Sequence, residues 1–167
     1  MDALLVINPQ NSFLSPQGSV YMGEKAEVLR VRLLDYLSGF QKPKIFIREK
    51  HAIEDTFFIG DRTHSVVTTD DYQIHESFKK YTNIICDKTR YDALYKTDLE
   101  SLLIKYKTRN IGIVGLETHT SILFTVEGLR NRGYEVSVVE PCVVSRDDYL
   151  HGCALEIMRQ YLSVRIV

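Results

Sequence analysis

Short apolar runs alternate with longer amphipathic stretches along this chain, and that alternation constrains the fold more than any other feature. The runs, rich in valine and isoleucine, are Ala3–Ile7, Lys44–Ile47, Asn83–Cys86, Asn110–Leu116, Glu135–Val139 and Val164–Val167. Several are apolar on both faces, as parallel strands covered on both sides are. Helical periodicity marks the stretches Lys25–Phe40, Asp98–Tyr106, Ser121–Arg132 and Tyr149–Tyr161. The pattern predicts an α/β protein with a mainly parallel sheet and right-handed crossovers.

Length and charge balance narrow the class of protein further. The 167 residues suffice for one domain with a full-sized core, so we expect a single domain over residues 1–167. Lysine and arginine total 21 against 22 acidic residues, which argues against binding to nucleic acid or a membrane surface. No apolar run has the roughly 20 residues of a membrane span, and the first run lacks the basic flank of a secretory signal. Three widely spaced cysteines favour a reducing, cytoplasmic location.

Polar residues at the ends of the predicted strands mark the candidate site. In parallel α/β sheets the ligand site lies beyond the carboxyl ends of the strands, where Asn8, Glu49 and Lys88 fall. Pro9 predicts an extended backbone at Asn8. The stretch Ala52–Tyr81 is too long for an ordinary connection, and long loops in compact domains are usually functional. Neither a dinucleotide-binding nor a phosphate-loop motif is present in the sequence.

Four segments resemble the isochorismatase-like cysteine hydrolases, the superfamily that includes nicotinamidases. In chain order they are LLVINPQNSF, DKTRYDAL, IVGLETHTSILFT and VVEPCVVSRDDYLHGCALEIM. They are similar to that family's opening strand and turn, its strand-end lysine segment, its nucleophile elbow and its last crossover. The resemblance implies a three-layer, Rossmann-like α/β/α fold with a six-stranded sheet in the order 3-2-1-4-5-6. It also implies a small-molecule ligand and assembly into homodimers or homotetramers.

The catalytic positions of that family have changed in this chain. Family members hydrolyse amides with an aspartate, a lysine and a cysteine. The resemblance places the lysine at Lys88, but it places Asn8 at the aspartate position and Ser121 at the cysteine position. An asparagine amide accepts no proton near neutral pH, and a serine hydroxyl is far less acidic than a thiol. The resemblance also implies a cis peptide between Leu116 and Glu117, at an elbow where a helix start would stabilise negative charge on the oxyanion.

Glu49, His51 and His64 form a second constellation. Nicotinamidases bind a divalent metal through an Asp-x-His pair and a later histidine, and the segments REKH and THSVV resemble those two ligand segments, with glutamate in place of aspartate. Carboxylate and imidazole ligands suit zinc, manganese or iron. The alternative is that these residues are ordinary polar side chains, because glutamate reaches one methylene further than aspartate. The resemblance therefore predicts a metal site without making a cofactor a requirement.

Three functions stay open at this point. The first is a pseudoenzyme of the isochorismatase family that binds a small ligand or a partner with little hydrolysis. The second is an active hydrolase of a small amide or related substrate, in which Ser121 works with Lys88 or with a metal, since serine–lysine pairs are a known hydrolytic variant. The third is a structural subunit that stabilises an active relative. We favour the first, because two of three catalytic groups have changed toward weaker chemistry.

Overall fold

One parallel sheet organises the computed structural model, which describes residues 1–57 and 63–167. Its strands are β1 (Ala3–Ile7), β2 (Lys44–Glu49), β3 (Ile85–Lys88), β4 (Asn110–Leu116), β5 (Glu135–Val144) and β6 (Arg165–Ile166). Across the described residues the six strands lie in the order β3-β2-β1-β4-β5-β6, and every pairing is parallel. The expected sheet and strand order are therefore confirmed.

Helices cover both faces of the sheet. They are α1 (Asn11–Leu14), α2 (Glu24–Gly39), α3 (Leu99–Lys105), α4 (Leu123–Asn131) and α5 (Asp148–Tyr161). A π-helical turn, Thr118–Ile122, leads directly into α4. Two short 3-10 helices, Asp70–Tyr72 and Glu76–Tyr81, lie in the long stretch before β3. None of the described helices is long and apolar enough to cross a membrane.

The central position of β1 in the sheet explains why its sequence is apolar at every position. Leu4 and Val6 pack in the cluster that includes α1 and α2, whereas Leu5 and Ile7 pack in the cluster that includes α3, α4 and α5. All five residues of the strand are fully buried. Successive side chains point to opposite faces, so a strand covered on both faces needs an apolar residue at each position.

Strands β2, β3 and β5 end further along the chain than the apolar runs suggest, β5 at Val144. Strands β2 and β3 end on Glu49 and Lys88, which are register partners, so these residues belong to the strands rather than following them. The ladder continues because main-chain pairing does not depend on whether a side chain is polar. One consequence is that Glu49 and Lys88 are held side by side by the sheet itself.

The end of β4 comes close to β1 and then turns. Gly115 has φ +118°, and a Cβ atom there would lie 2.1 Å from the carbonyl oxygen of Ile7, so only glycine permits this approach. The peptide bond between Leu116 and Glu117 is cis, as the family resemblance implies. The chain then enters the π-helical turn that carries Ser121.

Candidate active site

Three side chains that the sequence analysis singled out meet at the carboxyl ends of the strands. Asn8 Nδ2 donates a hydrogen bond to Ser121 Oγ at 3.1 Å, and Lys88 Nζ donates one to the same oxygen at 3.0 Å. All three side chains are buried. The structure thus brings together a strand-end amide, a strand-end ammonium group and a hydroxyl from the turn before α4.

Glu49 is a fourth member of this group; the sequence analysis placed it at this edge of the sheet but gave it a specific role only as a metal ligand. Its Oε1 atom accepts hydrogen bonds from Lys88 Nζ at 2.7 Å, from Asn8 Nδ2 at 2.9 Å and from Ser121 Oγ at 3.0 Å. The sequence carried one signal for this, a glutamate where the family pattern has an aspartate. One carboxylate oxygen contacts His64 and the other contacts Ser121, so the side chain joins the metal-type cluster to the serine. The site therefore contains a carboxylate although position 8 does not supply it.

At the buried Glu49–Lys88 ion pair, burial and the neighbouring opposite charge shift each pKa in opposite directions. Burial by itself would raise the pKa of the Glu49 carboxyl, but the charge of Lys88 and hydrogen bonds with His51 and His64 hold that pKa well below its usual range. Burial lowers the pKa of Lys88, and the Glu49 carboxylate beside it opposes that effect. Glu49 is accordingly ionised near neutral pH and is a weak proton acceptor.

Gln10 holds Glu49 in place and was not recognised from the sequence. The backbone N–H of Glu49 donates to Gln10 Oε1 at 2.7 Å, and Gln10 Nε2 donates to the Glu49 carbonyl at 2.9 Å. Gln10 Nε2 also donates to the carbonyl oxygen of Tyr72 at 3.0 Å. The signal in the sequence is a glutamine two residues after Asn8 in the opening turn. A buried amide that satisfies three backbone groups fixes the end of β2 against that turn.

Asn8 does not have the extended backbone that Pro9 predicts. Its φ is +53°, in the left-handed region that asparagine tolerates better than most residues. Backbone hydrogen bonds hold it there, from Asn8 N–H to the carbonyl oxygen of Ile47 at 2.9 Å and from Gln10 N–H to the carbonyl oxygen of Asn8 at 2.8 Å. The tertiary contacts therefore override the local preference of a residue before proline.

A cavity of about 170 Å³ opens above Ser121. Its lining includes Asn8, Phe13, Val20, Glu49, His51, Phe57, His64, Tyr91, Glu117, His119, Thr120, Ser121 and Arg146. Aromatic rings form much of the wall, with Phe57 edge-on to Tyr91 and Phe13 edge-on to His64. Of the elbow residues, Glu117 and Ser121 face the cavity, whereas Leu116 is fully buried in the cluster next to α2. An apolar cavity of about 150 Å³ suffices for benzene, so one substituted ring fits here.

The second oxygen of Glu49 faces two histidines. His64 Nε2 lies 2.8 Å from Glu49 Oε2, and His51 Nε2 lies 3.8 Å from it. One potential ligand atom from each of the three residues lies within 4.8 Å of the others, as a shared metal ion requires. His51 Nδ1 lies 3.1 Å from Asp55 Oδ2, and such a carboxylate contact commonly orients a metal-binding imidazole. The residues present therefore fit a divalent metal ion.

The parallel sheet order and the helices on both faces define a three-layer α/β/α class of protein, and the buried Lys88–Glu49–Ser121 cluster lies at the carboxyl edge of the sheet, where such proteins bind their ligands. Within that class, this chain belongs to the isochorismatase family, because the family model for the isochorismatase domain matches residues 2–166.

Solved structures of that family share the fold with this chain. Nicotinamidase PncA from Bacillus subtilis has a TM-score of 0.88 and is 23% identical, over 99% of this chain and 98% of that one. The pyrazinamidase of Pyrococcus horikoshii, solved in complex with zinc, has a TM-score of 0.87 at 21% identity, over 99% and 97% of the two chains. PnC1 from L. infantum, solved in complex with nicotinate, has a TM-score of 0.88 at 19% identity, over 100% and 92%.

Proposed function

We propose that this protein binds a small planar ligand in the cavity above Ser121 and hydrolyses amides slowly or not at all. The observation that carries the proposal is the closed hydrogen-bond network of Asn8, Glu49, Lys88 and Ser121 beneath an open cavity with aromatic walls. An open cavity favours a ligand-binding role over that of a purely structural subunit, for which a filled pocket would be expected.

Weak hydrolysis follows from the groups that surround Ser121. A serine hydroxyl needs a neighbouring base, and an effective base has a pKa near the working pH. The Glu49 carboxyl has a strongly lowered pKa and already accepts hydrogen bonds from Lys88 and Asn8. Lys88 is paired with that carboxylate at 2.7 Å, so it does not offer the neutral amine that a serine–lysine mechanism uses.

The ligand we propose is a six-membered aromatic ring with one small polar substituent, such as nicotinate or nicotinamide. The size of the cavity and its aromatic walls support a single ring. A relative of the same fold was solved in complex with nicotinate, and others are nicotinamidases. A bound divalent ion would be held by Glu49, His51 and His64, and it would polarise a carbonyl or hydroxyl group of the ligand.

One contact favours a second function, an active serine hydrolase of a small amide. The Ser121 hydroxyl donates to Glu49 Oε1 at 3.0 Å, which is the geometry in which a carboxylate receives a hydroxyl proton.

The dimer or tetramer that the family resemblance implies stays a prediction, and light scattering of the purified protein measures it.

Two measurements on the purified protein test the proposal. Calorimetric titration should detect nicotinate or nicotinamide binding, and Tyr91→Ala should weaken it by about fivefold or more because an aromatic wall is lost. Tyr95→Ala is the matched control, because Tyr95 is 44% exposed against 40% for Tyr91 and is not part of the cavity wall. Ammonia release from nicotinamide at about 1–1000 per second, abolished by Ser121→Ala, would replace this proposal with the serine hydrolase.

A further inference from the structure

Three hydrogen-bond donors converge on one oxygen of Glu49. Lys88 Nζ, Asn8 Nδ2 and Ser121 Oγ all lie within 3.0 Å of Oε1. The first two also donate to Ser121 Oγ, at 3.0 and 3.1 Å. The hydroxyl of Ser121 therefore has two donors directed at it and one acceptor, and Glu49 is that acceptor. The position of its hydrogen atom is set by these neighbours.

We propose that Glu49, at the end of β2, supplies the carboxylate of the Ser121–Lys88 site in place of residue 8, at the end of β1. Glu49 is a positioning residue that orients the Ser121 hydroxyl and the Lys88 ammonium group. Asn8 is the amide that this arrangement requires, because a second carboxylate there would face Glu49 across 2.9 Å. The two positions form a compensating pair, and the inference holds whichever ligand the cavity takes.

Contacts on several sides hold the Glu49 carboxylate in this position. Gln10 clamps the backbone of Glu49 from both sides, through its N–H and its carbonyl. The sheet register sets Glu49 beside Lys88, and His64 contacts the second carboxylate oxygen at 2.8 Å. The side chain is thus held at its backbone and at both oxygens, which is how a positioning residue is built.

The orientation of the Asn8 amide supports the same inference. Both of its contacts inside the site use Nδ2 as a donor, one to Glu49 and one to Ser121. Its Oδ1 atom is buried without a hydrogen-bond partner among the described residues. An ionised carboxylate next to Asn8 accepts hydrogen bonds and donates none, so the amide nitrogen has to face it. Asparagine provides that nitrogen, whereas aspartate does not.

Exchanging the carboxylate between the two positions tests the proposal. Asn8→Asp alone sets two carboxylates against each other in a buried site, and Glu49→Gln alone leaves Lys88 buried without its partner. We expect each single change to lower the Tm by about 10 °C. Asn8→Asp combined with Glu49→Gln again sets one carboxylate and one amide between Lys88 and Ser121. We expect its Tm to lie within about 3 °C of the unmodified protein, far above the additive loss.

The neighbouring ion pair provides a matched control. Arg48 and Asp87 are paired across the same two strands, one residue earlier in register, with Arg48 Nε 2.7 Å from Asp87 Oδ1. Asp87→Asn also replaces a strand carboxylate by an amide, but away from the cavity. Combining it with Asn8→Asp should give the sum of the two single losses, because no carboxylate is exchanged between these positions.

A thiol probe at position 121 separates a functional role from a purely structural one. Ser121→Cys is introduced into each background, and its alkylation by iodoacetamide is followed by mass spectrometry at pH 7 with EDTA present. Glu49→Gln should accelerate alkylation by about tenfold, because the Lys88 charge then favours the thiolate unopposed. Adding Asn8→Asp should return the rate to within about threefold of the Ser121→Cys protein.

Two results would overturn the inference. One is a decrease in the Tm of the exchanged double variant that equals the sum of the two single decreases. The other is an alkylation rate that stays the same whether Glu49 or glutamine occupies position 49. Absence of nicotinate binding would remove the proposed function without affecting either measurement, so the two failures are distinguishable.

Discussion

Two cation–carboxylate pairs join β2 to β3 in consecutive register positions, and they differ in burial and in the groups around them. Lys88 and Glu49 are buried, and their contacts include a hydroxyl, an amide and two imidazoles. Arg48 and Asp87, on the opposite face, have side chains that are 15% and 28% exposed. Two pairs with similar chemistry at adjacent positions therefore lie in unlike environments, because successive residues of a strand face opposite sides of the sheet.

The difference shows what each pair does. Asp87 accepts hydrogen bonds from Arg48 and from the Tyr72 hydroxyl, and burial together with the bond to Asp87 raises the pKa of Tyr72 to about 12. These three groups contact one another, and Lys50 Nζ lies 3.9 Å from Asp87, so this pair holds the 3-10 helix at Asp70–Tyr72 against the sheet. Lys88 and Glu49 also contact a hydroxyl that borders an open cavity. That pair orients a side chain that a ligand can reach.

Replacing the cation of each pair should give the largest difference in stability between the two pairs. We expect Lys88→Met to lower the free energy of unfolding by about 3–5 kcal/mol, because it leaves a buried carboxylate uncompensated. Arg48→Met should cost about 1–2 kcal/mol, because Asp87 remains partly hydrated and keeps Tyr72. Urea denaturation measures both. Equal losses would mean that the environment of the Lys88 pair is less dry than its burial indicates.

Zinc should stabilise the protein by binding at the Glu49 pair and not at the Asp87 pair. The carboxylate of Glu49 faces His51 and His64, whereas Asp87 has no imidazole among its described contacts. At a zinc concentration of about 100 times the Kd, we expect an increase of about 3 kcal/mol in stability, measured as a higher Tm. His64→Asn should abolish that increase. His75→Asn, outside the cluster, should preserve it, and loss of the increase in this control would point to binding elsewhere.

The dependence of stability on acidic pH should differ between variants of the two pairs. The pKa values of Glu49 and Asp87 are lowered despite burial, Glu49 by Lys88 and two histidines and Asp87 by Arg48 and Tyr72. A lowered carboxyl pKa gives stability that is present above the unfolded value and lost as the pH falls toward the folded value. The pKa of Glu49 is held well below its usual range and that of Asp87 is lowered less, so more stability depends on the ionised Glu49 carboxylate. Below a pH of about 4.5, Glu49→Gln should therefore lose less stability than Asp87→Asn. Stability followed by circular dichroism, with EDTA present, measures both slopes.

Tyr72→Phe should have the smallest effect. The change removes the hydroxyl that donates to Asp87 Oδ2 at 2.6 Å, and we expect a loss of about 1 kcal/mol in the free energy of unfolding. Nicotinate affinity should not change, because Tyr72 lies on the face away from Ser121. A weaker affinity would show that the two faces of β2 are coupled, contrary to the comparison.

Much of the fold follows from local sequence patterns. The run Ala3–Ile7 is a strand with the predicted bounds, and Gly133, with φ +81°, follows the end of α4 as a glycine after a helix does. The meeting of Asn8, Lys88 and Ser121 followed from motif order, because parallel strands bring their carboxyl ends to one edge. Residues 58–62, in the stretch Ala52–Tyr81 whose conformation the sequence analysis did not predict, lie outside the described residues.

By itself, the sequence determined the alternation of strands and helices, the class of sheet and the positions where polar side chains reach its edge. Only the tertiary structure decided that the site's carboxylate comes from Glu49. Hydrophobic periodicity is a local property that can be read along the chain. The bonds of Glu49 instead join residues 41, 39 and 72 positions apart, and they depend on strand register, on the clamp by Gln10 and on the turn that carries Ser121. Those distances exist only once the chain has packed.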